Sequence, residues 1–112
     1  MTKEAELIEN LRKVLQGRPD LVAAYLFGSS ARQQAHALSD VDVAVLFGVD
    51  LPAEDLFART LQIGSLLDEA LHLPVDVIAL NQAPPALCFQ VLKYGRLLLE
   101  QDRTQRCVFV MH

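Results

Sequence analysis

Residues 40–47, DVDVAVLF, alternate so strictly that an extended strand is the reading. Val41, Val43, Val45 and Phe47 fall on one side of it. Asp40, Asp42, Ala44 and Leu46 fall on the other. Three more strands follow from short apolar runs: LVAAYLFG at 21–28, VDVIAL at 75–80 and RLLLE at 96–100. Helical periodicity fills the gaps. Leu7, Ile8, Leu11, Val14 and Leu15 predict a helix over 3–16, ended by Gly17. Asp50 and Pro52 open a second helix with the stripe Leu56, Thr60, Ile63, Leu67 and Leu71, stopped by Pro74. Residues 86–94 predict a third, capped by Gly95, and 30–36 a short one within a polar stretch. No element is assigned to the tail 101–112. The order α-β-α-β-α-β-α-β predicts an α/β domain with one sheet, and alternation alone favours a parallel one.

Length and composition narrow the class. A chain of 112 residues is the size of one domain, 1–112, with a core of about 20–100. Hydrophobic residues at 52% exclude intrinsic disorder. A formal charge of −4 argues against a nucleic-acid partner, because such affinity comes from basic contacts to phosphate. Cys88 and Cys107 have no metal-binding spacing and are expected as buried free thiols. His36, His72 and His112 are scattered, so no histidine metal site is expected. No signal peptide and no membrane-spanning run is visible, so the expected setting is a soluble protein of the reducing cytoplasm.

Two features carry chemistry. Asp40 and Asp42 project from one face of a strand, roughly 6–7 Å apart along it. Asp76 sits in a second strand with the same flanks, Val75 and Val77. If those strands are neighbours, three carboxylates converge. Their repulsion and desolvation are resolved by a hard divalent cation such as Mg²⁺ or Mn²⁺. Taken alone, the Asp40–Asp42 pair reads first as a turn cap and a solvent-facing strand charge. Upstream, Gly28 and Ser29 follow a buried strand and precede a short helix. That arrangement offers free N–H groups and a hydroxyl to a phosphate, although it also fits a plain N-cap. Neither GxGxxG nor the P-loop pattern is present.

Gly28-Ser29, ten residues, then Asp40-x-Asp42 resembles the signature of the DNA polymerase beta-like nucleotidyltransferase superfamily. The stretch LFGSSARQQAHALSDVDVAVLF is similar to the minimal nucleotidyltransferases (MNT) of prokaryotes, of the HEPN/MNT antitoxin type. The resemblance implies a mixed small sheet of about four strands with helices packed mainly on one side. It implies two Mg²⁺ ions on Asp40, Asp42 and Asp76, with ATP as substrate held by Gly28, Ser29 and Arg32. It implies transfer of AMP to a tyrosine of a HEPN-domain toxin, and a hetero-oligomer with that toxin. Other readings are a catalytically silent antitoxin acting by occlusion, and a nucleotidyltransferase for a small molecule. Gln33 stands where the family often has glycine, and longer relatives usually continue in a C-terminal helix. Lys93 and Arg96, flanking Gly95, are read as a solvated cationic helix end. Phe89, Tyr94, Val108 and Phe109 are expected to form an apolar docking surface.

Overall fold

The computed structural model describes residues 3–27, 41–48 and 51–111. Four helices and four strands lie within them: α1 (Lys3–Leu15), β1 (Leu21–Phe27), β2 (Val41–Phe47), α2 (Ala53–Leu71), β3 (Val75–Ala79), α3 (Pro85–Tyr94), β4 (Arg96–Glu100) and α4 (Arg103–Val110). The expected helix at 30–36 lies outside the described residues, as do Gly28, Ser29, Arg32, His36, Asp40, Asp50 and His112.

The sheet order is β3-β2-β1-β4. Only β2 and β3 run parallel; β1 is antiparallel to both β2 and β4. The parallel sheet suggested by alternation is therefore corrected, and the mixed sheet implied by the resemblance is observed. The reason lies in the connections. Helix α2 carries the chain from the end of β2 back to the start of β3, a crossover that makes that pair parallel.

Alternation in β2 builds two cores. Val41, Val43, Val45 and Phe47 pack with Leu11 and Leu15 of α1 and Leu56, Ile63 and Leu67 of α2. On the opposite face Ala44 and Leu46 join Tyr25, Leu80 and Val91, with Leu87, Leu92 and Phe109 packed against them. The two longer helices thus form the main layer, and the shorter α3 and α4 cover the other face. Burying a leucine or isoleucine such as Ile63 or Leu67 contributes about 1.5–3 kcal/mol each.

Helix ends follow local chemistry. Pro52, not Asp50, takes the N-cap position of α2, with no side-chain cap bond. His72 closes α2 in the left-handed region at φ 55°, its N–H donating to Asp68 O at 2.8 Å. The tail, for which periodicity assigned nothing, forms α4. Asp102 caps it by accepting from the Gln105 N–H at 3.0 Å, and this bond holds the Asp102 carboxyl below its ordinary value. No residue of α4 is fully buried, because the helix lies on the rim of the second core. Hence Cys107 is exposed; Cys88, on α3, is half-buried, and both differ from the expectation of two buried thiols. Cys88 Sγ faces the carbonyls of Leu80 and Ala83, and burial pushes its thiol up.

Candidate active site

The strand pairings align a row of residues across one end of the sheet. Phe27 of β1 is the Cα partner of Asp42, and Asp42 is the Cα partner of Asp76. Neighbouring strands lie roughly 4.8 Å apart, so the two carboxylates start from adjacent backbones. Both project to the same face. Asp42 shares its parity with Ala44, and Asp76 with Ile78, and these belong to the core covered by α3. Asp42 is half-buried and Asp76 exposed.

Their backbones are fixed from the opposite face. Val41, Val43 and Val75 are buried among α1 and α2, which sets the register of β2 against β3. The last turn of α2 adds a direct tie: the Val75 N–H donates to Asp68 Oδ1 at 2.7 Å. The Val41 N–H donates to Pro74 O at 3.2 Å. Each acidic strand is therefore anchored at the residue just before its aspartate.

Two carboxylates facing each other across a strand pair repel. The donor set suits a hard divalent cation: two oxygen-bearing side chains side by side, Asp42 half-buried and Asp76 exposed. Among the described residues no group of three or more His, Cys, Asp or Glu comes together. The expected third acid, Asp40, and the expected phosphate cradle of Gly28, Ser29 and Arg32 lie outside those residues. Their sequence neighbours are placed: Phe27 precedes Gly28 and Val41 follows Asp40, and both stand beside the Asp42 row.

Sequence reasoning missed several residues at this end of the sheet. Asp68 is one, since only the tertiary structure brings it to Val75. Gly95 is more than a helix cap. A Cβ there would lie 2.5 Å from Val91 O and 3.2 Å from Leu26 O, so the turn into β4 packs on the end of β1. Lys93 is not simply solvated; its Nζ lies 5.5 Å from the Phe89 ring centroid and 5.2 Å from that of Tyr94. Arg96 pairs with Glu4 of α1 at 2.8 Å. His72 is an exposed cap. An apolar groove of about 290 Å³, lined by Phe57, Ile78 and Leu87 among others, opens at the far end of β3 and away from the acids.

Asp42 and Asp76 thus form an acidic pair on adjacent strands of a mixed sheet backed by two long helices. Residues 9–104 match the family described as Polymerase beta, Nucleotidyltransferase, and the chain belongs to that family. In particular, it is 37% identical over 95 residues to protein adenylyltransferase MntA of Shewanella oneidensis, covering 85% of this chain and 63% of that protein. The chain thus spans less than two thirds of the length of this curated relative. Among solved structures it is similar to a chain of a toxin–antitoxin crystal structure with AMP-PNP. There the TM-score is 0.76 at 30% identity, over 93% of this chain and 82% of that one. It is also similar to a chain of the complex of tri-AMPylated Shewanella oneidensis HEPN toxin with MNT antitoxin. That match has a TM-score of 0.71 at 27% identity, over 96% of this chain and 82% of that one. Among the described residues no helix is long and apolar enough to cross a membrane.

Proposed function

We propose that the chain, as one minimal nucleotidyltransferase domain over 1–112, transfers AMP from ATP to a tyrosine of a HEPN-domain toxin and acts as its antitoxin. The observation that carries this reading is the pairing of Asp42 with Asp76 on one face, in a chain of the polymerase beta nucleotidyltransferase family. The likeness to protein adenylyltransferase MntA and to the complex holding an AMPylated toxin supports the acceptor class.

In this reading Gly28 lets the triphosphate approach the backbone, and the Ser29 hydroxyl and neighbouring N–H groups donate to its oxygens. Arg32 adds a cation on the phosphates. Mg²⁺, which Asp40, Asp42 and Asp76 would hold, supplies charge neutralisation on the phosphates and the departing pyrophosphate. Asp76, the more exposed acid, takes the proton of the incoming tyrosine hydroxyl. The hydroxyl oxygen bonds to the α-phosphorus, and pyrophosphate leaves from the opposite side.

Incubation with labelled ATP, Mg²⁺ and the HEPN partner should label the partner on tyrosine. Asp42→Asn should lower that labelling by at least about 100-fold while the fold persists. A wild-type pair that binds and silences the toxin with no label would establish occlusion instead.

A further inference from the structure

The chain has two tyrosines, and the fold treats them oppositely. Tyr25 is 4% exposed, and its hydroxyl accepts from Arg106 Nη1 at 3.2 Å. Tyr94, the last residue of α3, is 50% exposed. Its position is set by three independent features. Helix α3 packs on the face to which Asp42 and Asp76 project, where Val91, Leu87 and Leu92 meet Ala44 and Ile78. It also ends at the acidic end of the sheet: Gly95, next in the chain, packs on the Leu26 carbonyl, and Arg96 is the Cα partner of Leu26. One residue further along β1, Phe27 is the Cα partner of Asp42. The turn after Tyr94 and the backbone of Asp42 are therefore separated by the width of β1, about 10 Å or two strand spacings. The Lys93 ammonium accompanies the phenol at 5.2 Å from its ring centroid.

We infer that Tyr94 is itself an acceptor of AMP, modified by the chain's own site. This rests on the nucleotidyltransferase reading above. The step balances without a further reactant. Tyr94 Oη bonds to the α-phosphorus of ATP, and the bond from that phosphorus to the bridging oxygen breaks. Pyrophosphate leaves with the electron pair, and the phenolic proton passes to Asp76. The product is a phosphodiester between tyrosine and adenosine at the rim of the site. It leaves AMP where an external acceptor would have to approach, so a self-modified chain is expected to be slowed toward its partner.

The full chain, incubated with ATP and Mg²⁺ alone, should gain the mass of one AMP, and peptide mapping should place it on Tyr94. The rate per molecule should not change with protein concentration. Tyr94→Phe and Asp42→Asn should both keep the unlabelled mass. A readout independent of catalysis uses α,β-methylene-ATP, whose α–β bridge cannot be cleaved. With Mg²⁺ it should shield Tyr94 from nitration by tetranitromethane. Wild-type protein that labels the HEPN partner but never itself overturns this inference and leaves the enzyme reading standing. So does label on another residue, unshielded nitration, or a rate that rises with protein concentration. Protein that labels neither itself nor its partner overturns both.

Discussion

Asp42 and Asp76 face each other as like charges, a pairing that works against the sheet by roughly 0.2–1 kcal/mol. The exposure of Asp76 puts the figure at the lower end. Asp42→Asn should therefore leave the melting temperature of metal-free protein unchanged or slightly raised while transfer is lost. Calorimetry beside a labelling assay separates the two effects; a large drop in melting temperature would make Asp42 a structural residue. Asp20 behaves in the opposite way. It accepts from Arg18 Nη2 and Arg59 Nη1, each at 3.0 Å, and so joins the turn before β1 to α2. Burial alone would raise its carboxyl, but the bonds from Arg18 and Arg59 outweigh that and hold it below 3.8. A carboxyl depressed in the folded state adds stability that is present above the unfolded value and lost as pH falls through the folded one. Asp20→Asn should cost about 1–2 kcal/mol at neutral pH, Arg59 being partly screened by solvent. The deficit should persist down to about pH 4 and close only in stronger acid. Denaturant melts of both proteins across that range check it.

The elements were largely legible because their patterns were strong. The stripe Leu56, Ile63, Leu67 is buried as its spacing required, with Thr60 and Leu71 at its edges. The alternation in β2 sorts its residues into the two cores as read. Strand direction was not legible, since an apolar run carries no sign of which neighbour it joins. Helix α4 was missed because its stabilising groups are remote or local in ways periodicity ignores. Asp102 caps it, and Arg106 ties it to Glu100 and the Tyr25 hydroxyl, bonds that raise the guanidinium further. At the candidate site, the pairing of the Asp42 and Asp76 strands was legible from their shared flanks, whereas Asp68 and Gly95 act through tertiary neighbours that no local motif announces. Gly95 offers a test at this scale. Its φ of −74° suits any residue, so only space restricts it. Gly95→Ala should cost about 1–3 kcal/mol, because the methyl meets the Val91 and Leu26 carbonyls. Thermal melts should show the loss; an unchanged midpoint would mean that the turn repacks freely.

Across the whole molecule, apolar residues outrun the two cores on the side of α3 and α4. Of the residues expected to form a docking surface, Phe89 at 62%, Tyr94 at 50% and Val108 at 52% are exposed, while Phe109 is drawn half into the second core. A partner interface needs a desolvated centre. Val108→Asp should therefore weaken binding of the proposed HEPN partner by about tenfold or more, a loss typical of an interface anchor. Stability should change by less than about 0.5 kcal/mol, as at other exposed sites. Titration calorimetry and a thermal melt test both halves; unchanged affinity moves the surface elsewhere. The sheet's connectivity also governs how the protein is made. Its inner strand β1 is completed by β4, with Ala23 paired to Glu100, and Arg12 of the first helix donates to Leu98 O at 2.7 Å. During synthesis β1 emerges first and waits for β4, roughly 4–15 s at ordinary elongation rates. Through that interval one edge of the nascent sheet stays open. Translation speed between the first and fourth strands thereby sets how long each new chain is exposed to mispairing before its fold can close.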